Sequence, residues 1–482
     1  MKPVFFASLM GLALVAGCAV GPNYQPPKTA APAQWSSPLA GGETNAPADL
    51  ADWWKNFGDT NLDSLMTLAV RSNLDLRIAE AHVREARAGR DVATGSWWPS
   101  VDGTAGYSRN RWGANSFPPV PADIPLDYNL YNAGFDAAWE LDLFGGTRRA
   151  VEAATAGIGM AQYDQRTVLV SLLAEVARNY LTARGYQQRL AITRENISVQ
   201  KDILDLTRSR YQNGLGSDLD VQQATALLAA TESQVPLLTT GCQQSVHHLA
   251  VLLGQPPGAL LAEMSAARPI PSAPPVVPAG LPSDLLLRRP DVQGAERKLA
   301  AATAQIGVAT ADLFPKFSLT GTLGLESESP GNWFDYASRY WSAGPTLQWN
   351  LFQAGSIRAN IRVQNARQEQ AWDAYQKTVL TALEDVENAL TAYAKEQIRR
   401  AALARSAQAD QQALDLSNEL YTNGLTDFLQ VLDSERSLCA AQDALVQSDQ
   451  AIGLNLVQLY KALGGGWQNT PSSRPVTTTG SP

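Results

Sequence analysis

Cysteine and histidine are nearly missing: 482 residues hold three of each. That leaves too little thiol for a disulfide framework and too little imidazole for a metal centre. His247 and His248 are adjacent, so on a helix they point to different faces and cannot pair as ligands. Basic excess is missing too. Lys and Arg number 38 against 46 Asp and Glu, a formal net charge of −8 spread along the chain, which excludes the basic face that nucleic acid requires. Long apolar runs are absent beyond the N-terminus, where one stretch comes nearest to the ~18–20 residues of a membrane-spanning helix. Catalytic motifs are thin. Ser198 and Lys201 match a Ser-x-x-Lys nucleophile pattern but stand inside a long heptad helix without companion motifs. No enzyme, cofactor or metal chemistry is expected.

What the chain does contain is a repeat. RYQNGLGSDLDVQQA (Arg210 to Ala224) returns as LYTNGLTDFLQVLDS (Leu420 to Ser434), so that Tyr211, Asn213, Gly214, Leu215, Leu219 and Val221 recur 210 residues later as Tyr421, Asn423, Gly424, Leu425, Leu429 and Val431. In both copies Asn-Gly interrupts a helical pattern, because Gly takes a left-handed C′ conformation and Asn tolerates strained turn geometry. Asp218 and Thr426 stand where caps of the following helices are expected. Each copy reads as the tip of a long helical hairpin.

The hairpin arms carry coiled-coil spacing. Leu169, Val176, Ala183, Leu190, Ile197, Leu204 and Tyr211 fall every seventh residue, matched by Val379, Val386, Tyr393, Arg400, Ala407, Leu414 and Tyr421. A Pro-free run of about 65 residues at 1.5 Å each predicts a rod near 100 Å. Return helices of roughly 37 residues end in Leu253-Gly254 and Leu463-Gly464. Cys242 and Cys439 lie in these arms as apolar fillers, roughly 20 Å apart in equivalent register, beyond disulfide reach. Upstream, one helix is expected from Leu62 to about Thr94, and its counterpart ends at Pro315 as the first does at Pro99, now 216 residues apart.

After each Pro the period changes from helical to two. Val101, Gly103, Ala105 and Tyr107 alternate with Asp102, Thr104, Gly106 and Ser108, and Phe135 through Leu143 alternate likewise. The second copy repeats this from Phe317 to Gly324 and from Trp341 to Leu351. One face is apolar with aromatics near its ends, and the other is small and polar, as membrane β-strands of ~9–11 residues require. Residues 109–125 and 327–339 are long enough for external loops. Strands in lipid must close into a barrel, yet single-chain bacterial barrels begin at about eight strands and this chain offers about four. Two copies would make eight strands with a filled lumen, and three would make twelve with a wider one.

At the N-terminus Lys2 precedes an apolar stretch from Val4 to Ala16 ending LVAGC. This has the form of a secretory signal, and its end resembles the lipobox of bacterial lipoproteins. By that resemblance Cys18 is the lipidated first residue of the mature chain, and Ala19 after it points to the outer membrane. The expected organisation is a signal peptide at 1–17, a lipidated tether at 18–60, a first repeat at 61–254, a Pro-rich linker at 255–282, a second repeat at 283–466, and a disordered tail at 467–482.

CAVGPNYQPP after the lipobox, LLLRRPDV (Leu285 to Val292), the doubled Asn-Gly-Leu tips and the closing LYKALGGGW (Leu459 to Trp467) resemble the TolC-like outer-membrane efflux factors. The closest branch is the lipoprotein one, serving resistance-nodulation-division (RND) pumps. The resemblance implies a mainly α chain with membrane β. It implies a homotrimer whose twelve-stranded outer-membrane barrel is continuous with a periplasmic α-helical coiled-coil barrel. The function implied is that of an exit duct for drugs or other small molecules, with a periplasmic adaptor and an inner-membrane RND-type transporter as partners. The hairpin tips, Asn213, Gly214, Leu215, Asn423, Gly424 and Leu425, would meet those partners. The resemblance also implies a periplasmic gate at Leu429 and Asp433, with Arg436 a turn later. Gln430 stands where the TolC type has another Asp, which leaves a second acidic ring open, and Asp220 on the first tip is the alternative. A rival reading is a periplasmic structural or adaptor lipoprotein that uses the coiled coil without spanning the membrane; the paired alternating strands distinguish the two.

Overall fold

The computed structural model describes residues 19–29, 32–37, 42–44, 46, 50–113, 121, 124–272, 274 and 277–468. The expected signal peptide, Cys18 and the tail beyond residue 468 lie outside the described residues. The elements in chain order are β1 (Glu43–Thr44), α1 (Thr60–Ser72), α2 (Leu74–Gly95), β2 (Ser100–Arg111), β3 (Asp127–Leu141), α3 (Gly146–Gln212), α4 (Asp218–Glu232), α5 (Gln234–Leu252), β4 (Val277–Pro278), α6 (Pro282–Arg288), α7 (Pro290–Ala311), β5 (Lys316–Ser327), β6 (Arg339–Gln348), α8 (Ser356–Thr422) and α9 (Phe428–Ala462). Among the described residues no helix is long and apolar enough to cross a membrane. Two compact units form. One takes the described residues of Met1–Pro27, His82–Ala161 and Ala295–Tyr375, the other those of Lys28–Ala81, Gln162–Gly294 and Gln376–Pro482.

The first unit holds an antiparallel sheet of four strands in the order β2-β3-β5-β6. Register keeps the two sequence periods in phase across every strand. Phe135 pairs with Gly103 and Leu323, and Leu323 pairs with Trp341, so these side chains share one face. That apolar face is open: Phe135 is 63% exposed, Leu323 60% and Trp341 76%. The opposite face carries Asp102, Asp136, Thr322 and Ser342 in one row, where Thr322 Oγ1 donates to Asp136 at 2.9 Å. The outer edges of β2 and β6 have no strand partner among the described residues. Pro345, which has no N–H to give a ladder, lies in the edge strand β6, where Pro is tolerated.

Aromatics mark both ends of the sheet. At the helical end the indole N–H groups of Trp139 and Trp349 donate to the carbonyls of Trp97 (2.9 Å) and Leu313 (3.1 Å), two contacts related by the duplication. Trp112 stacks on Tyr128 at the other end, with centroids 5.5 Å apart. The strands differ a little from expectation. The alternating run expected from Phe135 begins earlier, at Asp127, and Leu143, Trp349 and Leu351 fall outside the strands.

The N-terminal motif is pinned to this unit. Val20 N donates to Phe144 O at 3.1 Å, and Arg149 reaches back from α3 to Val20 O (3.1 Å) and Asn23 Oδ1 (2.6 Å). Gly21 lies so close to Gly307 of α7 that a Cβ on it would meet Gly307 Cα at 2.5 Å, so nothing larger than Gly fits. The Tyr24 hydroxyl donates to Glu296, and the Arg297 guanidinium lies 5.8 Å from the Tyr24 ring centroid.

In the second unit the expected surface tether becomes core. Trp53 is 1% exposed and stacks on Tyr460 at 5.1 Å, in a cluster with Leu62, Leu173, Leu249 and Leu456. Large aromatics in a Pro- and Ala-rich stretch have nowhere cheaper to go than an interhelical core. Trp35 donates to Gly280 O at 2.8 Å, while β1 pairs in parallel with β4, so the linker at 255–282 is also ordered in part. The single upstream helix is two: Asn73 breaks it, accepting from Leu76 N (2.8 Å) and donating to Leu252 O (2.9 Å). The first return helix is also broken, at Ser233, because Pro236 has no N–H for the Glu232 carbonyl. The second return helix runs unbroken for 35 residues.

Two of the motifs that carried the resemblance meet in this unit. Arg289 forks onto Asp291 (3.0 and 2.6 Å), reaches Asp385 at 2.9 Å and donates to Ala462 O at 3.2 Å. The Trp467 indole donates to Arg288 O at 2.9 Å and receives the Arg166 guanidinium over its ring at 4.6 Å, so Trp467 is ordered and not part of a disordered tail. Removing the guanidinium would leave two carboxylates without their shared partner. Both carboxylates are about a third exposed, so we expect Arg289→Ala to cost about 1–3 kcal/mol, read as a lower thermal midpoint of the detergent-purified protein.

Candidate functional site: the hairpin tips

The two tips fold by the same local chemistry. At each, the chain closes with a Schellman motif: Gly214 N bonds Tyr211 O (2.9 Å) and Leu215 N bonds Arg210 O (2.8 Å), while Gly424 N bonds Tyr421 O (3.0 Å) and Leu425 N bonds Leu420 O (2.9 Å). The glycines stand at φ 74° and 73°, where a Cβ costs energy. The Asn213 and Asn423 amides donate to carbonyls four residues back, at 2.7 and 2.9 Å. The expected caps shift by one residue. Ser217, not Asp218, caps α4, and Asp427, not Thr426, is the N-cap of α9. Ser217 wins because it sits three residues before Asp220, which closes a capping box: Asp220 N donates to Ser217 Oγ (3.3 Å) and Ser217 N to Asp220 Oδ2 (3.1 Å).

Behind the tips the repeats pack on each other. Leu204 with Leu414 and Val221 with Val431, both pairs 210 residues apart, lie in one cluster with Ala224, Tyr421, Phe428, Leu432 and Leu438. Arg210 ties the tips directly: its guanidinium lies 4.6 Å from the Tyr421 ring centroid and donates to Thr422 O at 3.2 Å. Tyr421 is buried beside Phe428, at 5.6 Å between centroids, whereas its duplicate Tyr211 is exposed.

The sequence-designated residues of α9 divide by face. Leu429 is 55% exposed, and Asp433 and Arg436 are exposed as well, so the i, i+4, i+7 spacing gives one open row. Asp220 is on a different helix, its carboxylate already engaged in the capping box.

Sequence reasoning missed the opposite face. Glu435, at i+3 and i+4 from the buried Leu432 and Val431, occupies the apolar stripe, and that position is the signal that could have found it. Burial pushes its carboxyl pKa up, against hydrogen bonds from Gln200 and Cys439 that pull it down. Cys439 is half-buried and polar in its contacts, not an apolar filler: burial first, then the Glu435 carboxylate, push its thiol up to about 12. Arg189 of α3 was also missed; it forks onto Asp443 at 2.6 and 3.1 Å.

These features have counterparts in known proteins. The family model for the outer membrane efflux protein matches residues 65–255 and 281–465, the two repeats. Pyoverdine export outer membrane protein OpmQ of Pseudomonas aeruginosa is 36% identical over 471 residues, covering 96% of this chain and 98% of that protein. Solvent efflux pump outer membrane protein SrpC of Pseudomonas putida is 34% identical, covering 95% and 97%. Among solved structures, the outer-membrane channel OprN superposes with a TM-score of 0.87 at 38% identity, over 94% of this chain and 100% of that one. The open state of the Neisseria gonorrhoeae MtrE outer membrane channel gives 0.77 at 27% identity, over 93% and 99%. The chain belongs to the outer membrane efflux protein family. Its class is that of an outer-membrane efflux channel component, a transport protein.

The tip turn has a direct test. A Cβ at Gly214 or Gly424 would meet nothing within 4 Å, so substitution there is penalised by backbone conformation alone. Gly424→Ala should cost about 1–2 kcal/mol locally, and Gly424→Asn less, because Asn tolerates the left-handed region. Amide exchange at Leu425, whose N–H closes the motif, reads both.

Proposed function

We propose that this chain forms, as a homotrimer, the exit duct of a tripartite efflux system, with Cys18 as its lipid anchor in the outer membrane. The observation that carries this is the four-stranded sheet with an open apolar face, a polar opposite face and two unpaired edges. Edge β6 of one copy pairing with edge β2 of the next satisfies the backbone in lipid, and three copies close a twelve-stranded barrel. Two copies would close only eight strands, whose lumen side chains fill. The polar face then lines the lumen and the apolar face meets lipid.

The remaining roles follow the same reading. The partners are a periplasmic adaptor and an inner-membrane RND-type transporter, docking at the exposed Leu215 and Leu425 of the tips. Relatives named for export of pyoverdine and of solvents support a small-molecule cargo. Leu429 forms an apolar constriction and Asp433 a charged ring one turn along, each repeated in every copy; Arg436 stands close enough along the row to offset the crowded carboxylates. The rival adaptor-type lipoprotein has no use for a sheet of this construction.

Mass measurement in detergent tests the assembly. A trimer is expected; a monomer that keeps its β signal overturns it. The gate is tested with Leu429→Ala and Asp433→Ala together, which should raise conductance in planar bilayers and weaken cation selectivity. Trimer stability should change little, because both side chains lie off the buried stripe. Unaltered conductance and selectivity in the folded double variant would move the gate elsewhere, first to Asp220.

A further inference from the structure

The helix that exposes Leu429, Asp433 and Arg436 buries a carboxyl on its other side. Glu435 is 2% exposed. Facing it are Gln200 and Ile203 from α3, Ala224 and Leu227 from α4, and Leu432 and Cys439 from its own helix. None of these is Lys, Arg or His. Cys439 is the one titratable group among them, and its raised thiol stays protonated. The Gln200 amide donates to Glu435 Oε1 at 3.3 Å and to Cys439 Sγ at 3.7 Å, while the Cys439 thiol lies 3.8 Å from the same Oε1.

Two buried atoms of this cluster have no hydrogen-bond partner among the described residues: Glu435 Oε2 and Gln200 Oε1. They are the unused halves of the same pair of side chains. As a carboxylate and an amide the pair cannot be completed, because both unused atoms are acceptors. A proton on Oε2 turns it into a donor, and the neutral acid and the amide then match group for group, N–H to C=O and O–H to C=O. Buried polar groups are normally satisfied, and a lone buried carboxylate without a cationic partner is the costlier state.

We infer that Glu435 is a proton-binding site of the second hairpin: protonated, it pairs reciprocally with Gln200 and holds α9 against α3 and α4; ionised, it loosens that packing behind the gate row. The gating half rests on the reading of that row given above; the proton site does not. The sign is set by linkage. Burial raises the folded carboxyl pKa above its ordinary value, so the packed state is favoured below the unfolded pKa and loses that favour as pH rises through the folded one.

The test uses full-length protein in detergent. Amide exchange of residues 196–207 and 428–442, corrected for the intrinsic pH dependence, is followed from acid to neutral pH in the wild type and in Glu435→Gln. In the wild type, protection should fall as pH rises through the folded pKa, by about tenfold for each unit that this pKa stands above the unfolded one. Glu435→Gln, whose amide mimics the protonated acid, should hold the acid-level protection at every pH. A flat wild-type profile overturns the proposal without reference to any variant. So does a Glu435→Gln protein that keeps the wild-type pH dependence or fails to fold. In bilayers, wild-type conductance should rise with pH and Glu435→Gln should abolish that rise; a rise that survives overturns the gating half. Protein that forms no channel at any pH would sink the duct reading instead, and the exchange profile would still decide this one.

Discussion

Unpaired backbone in hydrocarbon is the constraint on which this architecture turns. A strand edge exposes a row of N–H and C=O groups, and lipid offers them no partner. Among the described residues this chain builds one four-stranded sheet and leaves the edges of β2 and β6 without a strand partner. A soluble protein blunts such edges with charge or covers them; here the sheet carries its large apolar side chains on an open face, with aromatic residues at both ends. On the proposed reading the sheet is a fragment that further copies complete.

Duplication made much of this readable from sequence. A helix that ends in a left-handed residue needs Gly there, so the tips at Gly214 and Gly424 announce themselves wherever the hairpin recurs. Strand alternation was equally plain, because an open sheet with one lipid-type face and one polar face shows period two without interruption. Register was not readable: the offset moves from 210 to 216 between tip and strand, and only the ladder assigns Leu323 to Phe135.

Three of the misses share one physical cause, which is that a distant contact decides a local state. Asn73 is tolerable within a helix by propensity, but its amide is claimed by Leu252 O, and the helix breaks. The stretch around Trp53 has the composition of a tether, and becomes core because Tyr460 and Leu173 offer it a site. Glu435 looks like an ordinary charge of a solvated helix until Gln200 and Leu227 enclose it. Composition describes what a segment can do alone, and none of these segments is alone.

The two repeats share a scaffold, and they part company at the second hairpin, where the gate is proposed. In register with Asp433, Glu435 and Arg436 the first hairpin has Gln223, Thr225 and Ala226, and in register with Gln200 the second has Asp410. Thr225 spends its hydroxyl on Val221 O at 2.7 Å, and Asp410 accepts from Ser406 at 3.3 Å, so neither copy of the pair is rebuilt. Tyr421 is buried beside Phe428, whereas the position equivalent to Phe428 is Asp218 and Tyr211 lies exposed. The shared residues, Gly, Asn and the leucines of the seam, are those the hairpin needs to form. The divergent ones put charge on one face of α9 and a buried carboxyl on the other. On the proposed reading function falls to the second tip by subtraction: the fold accounts for what the copies have in common and leaves these residues unexplained.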